Sequence, residues 1–364
     1  MKVSFALLFF PLFSFSQSIE TIIQKGHELA VVAVAVSKDS NYVATASRDK
    51  SAKLWEMSTG REVRSFLGHE ATVTSIEFTS DGKYLISGSN DKTIRIWDVY
   101  SGKEVFNLAT ADIITDVAID PQMKFFVVAG YGNSGYGDSA TVYDFRSRKI
   151  LKRLPTSADK GLGTGVDVSI SPDGNWIAFG EDNRTVNLYQ AGDWNLMKTF
   201  AFEEGFCGGC GTRIVFSPDS KSIYLASHNG PLRKYDLRNF KLVRTYEEKT
   251  EDLSGLAISN DGKKIARSTE KEITFWNESS GDSLTSILAG EQGAFHEIVF
   301  TLDNKSVIAA SDNNTAELWN IDGSSKKGTL TGFLNQRDRG GLDYDPNFYW
   351  QSAIARYVRL KNNL

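Results

Sequence analysis

The sequence predicts an all-β fold, a seven-bladed β-propeller made of four-stranded antiparallel blades. Three observations predict it. A polar turn recurs along the chain, short alternating apolar runs flank each copy, and a later run in each unit ends in an aromatic residue. Units of about 40–45 residues with four strand-like runs have the size of a propeller blade. A single ring of such units accounts for all but the ends of a 364-residue chain.

The recurring turn pairs a hydroxyl residue with an Asp two positions later. Asp, Gly and Pro suit such turns, because Asp bonds its own backbone and Pro presets φ. Asp39 and Asp81 are 42 residues apart, as are Asp219 and Asp261, so neighbouring copies share a period. The six copies occupy residues 37–40, 79–82, 171–174, 217–220, 259–262 and 301–304, and residues 120–123 form a weaker seventh copy.

Strand-like runs surround every turn. One run precedes the turn, as at 31–36, a second follows it, as at 42–46, and a fourth is visible in several units, as at 62–67. The third run of each unit ends at Trp55, Trp97, Tyr143, Tyr189, Tyr235, Trp276 or Trp319. These runs predict blades at about 31–67, 72–108, 113–153, 164–201, 211–247, 253–288 and 294–333.

The ends of the first two units carry two further marks. A Gly-His pair opens each unit, at Gly26-His27 and Gly68-His69, and the aromatic run closes as Trp55-Glu56 and Trp97-Asp98. Later units keep only part of this pattern: Tyr143-Asp144, Tyr235-Asp236, Trp276-Asn277, Trp319-Asn320 and the degenerate Tyr189-Gln190. The chain therefore resembles the WD-repeat family over residues of about 19 to 333.

This resemblance implies a buried hydrogen-bond network in the first two units. In the family it links the Gly-His histidine, a strand hydroxyl, an Asp in the next turn and the Trp. A buried Asp must be paired, and a His and a hydroxyl can satisfy it. We expect a structural role for this set, which comprises His27, Ser47 (or Thr45), Asp49 and Trp55, and His69, Ser89 (or Ser87), Asp91 and Trp97.

Two interpretations compete for the closure of the ring. We assign residues 19–24 to the outer strand of the seventh blade, since a strand lent by the N-terminus leaves no long free edge at the seam. Residues 328–333 compete for the same position. The tail, 334–364, is either the start of an eighth repeat or a short helix that begins at Asp345 and Pro346. The propeller domain is thus predicted to span 17–333.

The first 16 residues predict a signal peptide. Lys2 supplies the positive charge, residues 3–15 are almost wholly apolar, and Ser14 and Ser16 are small residues suited to cleavage before Gln17. The apolar run is too short for a membrane-spanning helix, which needs about 20 residues. We therefore expect the protein to be exported, to the periplasm or the medium, with no integral membrane segment in the mature chain.

The two cysteines, Cys207 and Cys210, lie in a loop that enters the fifth blade. In an oxidising compartment the expected state is a disulfide. A redox role would need a helix after the first Cys, haem attachment would need a His after the second, and a zinc site would need four ligands. None of these patterns is present in the sequence, so we predict a disulfide and neither a metal nor a cofactor.

The loops between blades are the predicted partner-binding surface. They are acidic on balance, with only Lys160 and Lys249 opposing the acids, and a negative ring could steer a basic partner. A Gly-rich insertion in the third unit adds two tyrosines, which bury much area at low entropic cost. The candidate contact residues are Glu28, Glu70, Tyr131, Tyr136, Asp159, Glu203, Glu204, Glu251, Asp252 and Glu291.

Composition and motifs narrow the function. The net charge is −4 with both signs spread along the chain, which is unlike the basic stripe of a nucleic-acid binder, so we expect no nucleic-acid partner. We identify no catalytic constellation and predict that the chain is not an enzyme. We expect a scaffold, monomeric or part of a complex, that binds a protein or peptide. The alternatives are a targeting or regulatory propeller of a longer exported protein and a propeller-type enzyme.

Overall fold

The computed structural model describes residues 26–131, 140–155, 165–181, 185–202, 212–228, 230–247, 253–289, 293–322 and 326–330. In these ranges, 28 strands form seven four-stranded antiparallel sheets, and each sheet consists of four consecutive strands. The predicted fold class, a seven-bladed β-propeller, is confirmed.

The strand bounds follow the predicted repeat. Blades 1 to 4 comprise β1 (Val31–Val36), β2 (Tyr42–Ser47), β3 (Ser51–Glu56), β4 (Arg61–Leu67); β5 (Val73–Phe78), β6 (Tyr84–Ser89), β7 (Thr93–Asp98), β8 (Glu104–Ala109); β9 (Ile113–Ile119), β10 (Phe125–Tyr131), β11 (Ala140–Asp144), β12 (Ile150–Leu154); β13 (Gly165–Ile170), β14 (Trp176–Glu181), β15 (Thr185–Gln190), β16 (Leu196–Ala201). Blades 5 to 7 comprise β17 (Thr212–Phe216), β18 (Ser222–Ser227), β19 (Leu232–Asp236), β20 (Leu242–Glu247); β21 (Gly255–Ile258), β22 (Lys264–Ser268), β23 (Glu272–Asn277), β24 (Ser283–Leu288); β25 (Phe295–Phe300), β26 (Ser306–Ser311), β27 (Thr315–Asn320), β28 (Lys326–Leu330).

The repeated turn joins the first and second strands of each blade. In the first blade, Ser37 Oγ donates to Asp39 Oδ1 over 2.6 Å, and the same hydroxyl–carboxylate bond recurs in the five other well-formed copies. The residue after the Asp has a positive φ in each copy, between 56° at Ser40 and 74° at Gly174. This left-handed conformation suits Gly and Asn, which explains why small or polar residues recur at that position.

The first strand of each blade lies at the centre of the ring. Neighbouring first strands contact one another around the whole circle, including β25 of the seventh blade with β1 of the first. They surround a central cavity of about 360 Å³, the central channel. The fourth strands carry the exposed residues, such as Leu67 and Leu288. Blades are therefore arranged radially, with their outer strands towards solvent.

The hydrophobic core is divided among the blade junctions. Seven clusters of buried apolar side chains occur in the described residues, and each cluster combines residues of two neighbouring blades. In the cluster between the first two blades, Leu54 and Phe66 meet Val73 and Trp97. Because each blade is apolar on both faces, no blade can bury its surface alone, and stacking around the ring stabilises all seven.

The ring closes without a strand contributed from elsewhere in the described chain. The outer strand of the seventh blade is β28, which overlaps the C-terminal candidate, residues 328–333, at 328–330. The position that we assigned to residues 19–24 is thus occupied by β28 in the described sheet, while residues 19–24 themselves and the tail at 334–364 lie outside the described residues. Side chains hold the seam, where Leu330 and Ile308 of blade 7 pack with Val31 and Trp55 of blade 1.

Candidate functional site

A chain of buried polar side chains lies beneath the loop that enters the first blade. Trp55 Nε1 donates to Thr45 Oγ1 over 2.8 Å. Thr45 Oγ1 lies 2.7 Å from His27 Nε2, and His27 Nδ1 lies 2.8 Å from Asp49 Oδ2. Because the hydroxyl accepts from the indole, it donates to Nε2, which leaves Nδ1–H as the donor to the carboxylate. Both ring nitrogens of His27 therefore have partners.

The second blade repeats this arrangement with a serine. Trp97 Nε1 donates to Ser87 Oγ over 2.9 Å, and Ser87 Oγ lies 2.8 Å from His69 Nε2. His69 Nδ1 lies 2.8 Å from Asp91 Oδ2. Each residue of the second network lies 42 positions after its counterpart in the first.

Of the two hydroxyls offered in each unit, Thr45 and Ser87 join the Trp to the His, and Ser47 and Ser89 do not; Ser47 and Ser89 instead accept the backbone N–H of Asp49 and Asp91. Ser47 Oγ donates to the Leu29 carbonyl over 3.0 Å, and Ser89 Oγ donates to the Ala71 carbonyl over 3.3 Å. The reason is register: Trp55 pairs with Val43 across the sheet, so its indole reaches two residues along β2 but not four. Period-two alternation places both candidate hydroxyls on one face, and the sequence alone does not choose between them.

The carboxylates at the ends of these networks are held in the ionised form. Burial acts to raise the pKa of Asp49, but hydrogen bonds from His27, from Ser51 at 2.6 Å and from the Glu28 N–H at 3.0 Å outweigh it and hold the pKa well below its usual range. The same competition lowers the pKa of Asp91 to about 2. Burial lowers the pKa of His69, and Asp91 opposes that shift.

These networks have the composition of a catalytic triad but lack its access. Thr45 and Ser87 are each 0% exposed, and both of their hydroxyl bonds are used within the network. A nucleophile must reach its substrate, which neither hydroxyl does here. In the part of the chain that the structure describes, no group of three or more His, Cys, Asp or Glu side chains is arranged to hold a metal ion.

The networks shape one surface of the ring, which we call the loop face. It consists of the loops between blades at 26–30 and 68–72 and the turns at 48–50, 90–92 and 312–314. The Glu28 N–H donates to Asp49, and the Glu70 N–H donates to Asp91 over 2.9 Å, so each network fixes the backbone of a predicted contact residue. The side chains of Glu28 and Glu70 remain exposed.

The described part of the loop face is less acidic than the sequence led us to expect. Arg48, Lys50 and Lys92 lie in the turns that face the acidic loops, and the Arg48 guanidinium is 3.9 Å from Asp312. His296 Nε2 also contacts Asp312, at 2.7 Å. These basic residues were missed because only the loops between blades were counted. Leu29, which is 52% exposed, adds an apolar contact point.

Among the remaining predicted contact residues, Tyr131 alone lies within the described ranges. Tyr131 ends β10, where its backbone pairs with Ile113. Tyr136, Asp159, Glu203, Glu204, Glu251, Asp252 and Glu291 lie outside the described residues, as do Cys207 and Cys210 of the predicted disulfide.

The central channel holds a set of charged side chains that sequence reasoning did not single out. Glu77, Asp116, Asp167, Arg213 and Glu297 line the cavity, each from the first strand of its blade. A signal for four of them was present. Asp116, Asp167, Arg213 and Glu297 each lie four residues before the first residue of their turn, as Asp116 does before Asp120. Strand alternation alone does not say whether a side chain at that position is buried or exposed.

Comparison with known proteins adds to this geometry. The WD domain, G-beta repeat family (WD40) matches the chain at residues 17–56, 60–98 and 160–190. The fold and these matches support a WD-repeat β-propeller. The matched segments include the two His–Asp–Trp networks found among the described residues.

Several curated WD-repeat proteins resemble parts of this propeller. A Periodic tryptophan protein 2 homolog of Dictyostelium discoideum is 31% identical over 50% of this chain and 19% of its own length. The U3 small nucleolar RNA-associated protein 15 homolog of Xenopus tropicalis is 25% identical over 35% of this chain and 24% of its own. The Target of rapamycin complex subunit wat1 of Schizosaccharomyces pombe is 23% identical over 56% and 62%, respectively.

The chain thus spans about a fifth of the length of the first of these relatives, and less than two thirds of the others. Across the described ranges, the structure contains no helix with the length and apolar character needed to cross a bilayer.

Proposed function

We propose that this WD-repeat propeller is an exported, non-catalytic scaffold that binds a protein or peptide through its loop face. One observation carries the proposal: each buried network ends at a loop whose backbone it pins and whose acidic side chain it leaves free. A rigid support that presents exposed side chains is what a binding surface needs, because little conformational entropy is then lost on association. Propellers of this family are typically scaffolds rather than enzymes, which supports the same proposal.

The names of the relatives support a role within an assembly. One is named as a complex subunit and another as associated with a small nucleolar RNA. For this chain we propose a protein or peptide partner, because the described loop face mixes acidic, basic and apolar side chains and carries no dense basic patch of the kind that phosphate contacts require.

The experiment is a charge reversal on the loop face. The double variant Glu28→Lys, Glu70→Lys changes two exposed side chains whose side-chain atoms form no part of the networks, so the fold should persist. Asp282→Lys, an exposed reversal in the turn between β23 and β24 on the other side of the blades, is the matched control. Partners captured by crosslinking with the parent protein should be lost with the double variant and kept with Asp282→Lys. Equal capture by all three proteins would exclude the loop face.

Export is the part of the proposal that rests on residues 1–16 alone. The test is to express the full sequence with a C-terminal tag and to determine the N-terminal residue of the protein recovered outside the cytoplasm. We expect Gln17. A protein that stays in the cytoplasm with its first residues intact would remove export from the proposal and leave the scaffold role standing.

A second candidate is a targeting or regulatory propeller of a longer exported protein. It is supported by residues 341–355, which resemble the opening of a further repeat. The complete reading frame distinguishes this candidate from an independent scaffold.

A further inference from the structure

Four carboxyl side chains of the central channel each cross a blade junction. Each accepts a backbone N–H from the first strand of the next blade. The bonds are Ile119 N–H to Glu77 Oε2 at 2.7 Å, Val168 N–H to Asp116 Oδ2 at 3.0 Å, Ile214 N–H to Asp167 Oδ2 at 2.6 Å and Val34 N–H to Glu297 Oε2 at 2.8 Å. Together they join blades 2 to 3, 3 to 4, 4 to 5 and 7 to 1. We call these four residues the carboxyl belt.

The belt follows a rule of register. Asp116, Asp167 and Glu297 each lie four residues before their turn, and each bonds the N–H three residues before the turn of the next blade. Glu77 lies two residues before its turn and bonds the N–H one residue before the next turn. Every carboxyl therefore bonds an N–H that lies one residue closer to its own turn than the carboxyl does. The same inter-blade bond is thus repeated at each of these junctions.

The charges that face the belt do not balance it. Among the described residues that line the cavity, Arg213 is the one cationic side chain opposite four carboxyls. Arg213 Nε also donates to the Ser254 carbonyl at 2.9 Å, so it serves a junction of its own. Asp116 and Asp167 line the same cavity on neighbouring first strands, and the charge of Asp167 raises the pKa of Asp116. Two neighbouring carboxyls of this kind favour a state in which one of them holds a proton.

We propose that the carboxyl belt is a proton-dependent clamp, which holds the blades together while its carboxyls keep their protons and loosens the ring when they ionise. A protonated carboxyl still accepts the N–H through one oxygen and gains a donor. An ionised belt places several negative charges around one small cavity, where their repulsion acts directly across the blade junctions.

The pKa shifts within the belt agree with this clamp. Burial raises the pKa of Glu77 to about 8 and that of Glu297 to about 7, against the N–H bonds that each accepts. Burial and the neighbouring Asp167 raise the pKa of Asp116, and burial raises that of Asp167 against the attraction of Arg213. In the unfolded chain these groups ionise near pH 4. The folded state therefore binds more protons above that pH, and its stability falls as pH rises to about 8.

The experiment measures the melting temperature of the full chain between pH 5 and pH 9. We expect the melting temperature of the parent to fall by roughly 5 °C across this range. Such a shift corresponds to a small fraction of the free energy of unfolding of a protein this size. The variant Glu77→Gln, Glu297→Gln keeps an oxygen for each N–H but cannot ionise, so its loss should shrink to less than half.

Thr74→Val is the matched control, since Thr74 Oγ1 donates across the junction of blades 2 and 3 to the Ile114 carbonyl at 2.8 Å without titrating. It should lower the melting temperature by the same amount at every pH. A parent whose melting temperature does not fall between pH 5 and pH 9, or a Gln variant that falls as steeply as the parent, would overturn the proposal.

A second measurement on the parent protein does not depend on variants that fold. Infrared difference spectra between pH 5 and pH 9 should show the loss of the C=O stretch of protonated carboxyl groups. Amide exchange at Ile119, Val168, Ile214 and Val34, corrected for the intrinsic effect of pH, should accelerate over the same range. Fully ionised carboxyls at pH 6 would contradict the clamp.

Discussion

Thr45 and Ser87 are the residues on which the two buried networks depend. Each hydroxyl both accepts from a Trp indole and donates to a His ring, so its removal leaves two buried polar groups without a partner. Such groups cost about 1–3 kcal/mol each. We predict that Thr45→Val lowers the free energy of unfolding by about 3 kcal/mol, measured by urea denaturation.

Ser47→Ala provides the comparison for Thr45→Val. Its hydroxyl donates to the Leu29 carbonyl and accepts from the Asp49 N–H. Both bonds are only partly buried, unlike those of Thr45, so the expected loss is about 1 kcal/mol. Equal losses for the two variants would show that the indole does not rely on Thr45.

At the residue scale, the sequence predicted most of each network and left its hydroxyl open between two residues. His27, Asp49 and Trp55 follow from short motifs that mark the two ends of a blade. The choice between Thr45 and Ser47 depends on the stagger between β2 and β3, which the pairing of Val43 with Trp55 fixes and no local motif records.

At the element scale, one turn of the sixth blade contacts three strands of the fifth blade. Glu278, in the turn between β23 and β24, accepts from Tyr224 Oη of β18 at 2.8 Å and Tyr246 Oη of β20 at 3.3 Å, and pairs with Lys234 of β19. Burial and this carboxylate together raise the pKa of Tyr224 well above its usual range. The junction between blades 5 and 6 is thus reinforced on the side away from the loop face.

We predict that Glu278→Ala lowers the free energy of unfolding by about 2 kcal/mol, because it removes the carboxylate that accepts from the buried Tyr224 hydroxyl and pairs with the Lys234 ammonium. Glu56→Ala is the control, since its carboxylate lies 4.0 Å from Arg61 in an exposed pair. Exposed pairs contribute less than about 1 kcal/mol. Chemical denaturation distinguishes the two, and a Glu56→Ala loss as large as that of Glu278→Ala would count against this role for Glu278.

Strands and turns were the elements that the sequence predicted best. Alternation and the hydroxyl–Asp turn are local signals; alternation recurs in every unit, and the turn recurs in six of the seven. The channel carboxyls were not predicted, because their partners are N–H groups some 40 to 50 residues away along the chain or, for Glu297 and Val34, at opposite ends of the described chain. Strand alternation carries no information about which side of the first strand faces the channel and which faces the next blade.

At the scale of the whole molecule, two sets of carboxyls with opposite pKa shifts determine how stability depends on pH. Asp49 and Asp91 have pKa values below their usual range, so the stability they contribute is present above pH 4 and is lost as pH falls further. The carboxyl belt acts in the other direction above pH 5. We predict a maximum of the melting temperature near pH 5, and Asp49→Asn should flatten the acid side alone.

The closed ring also affects how well the protein tolerates a destabilising core substitution. Each blade is held by two junction clusters, one on either side, and the seam between the seventh and first blades has a cluster like the others. If one junction fails, the circle becomes an open arc in which every blade still touches a neighbour. A linear stack would break into two pieces at the same lesion. Separating any blade from this protein therefore requires two failures at once, so a single core substitution should be tolerated better here than in a solenoid built from the same units.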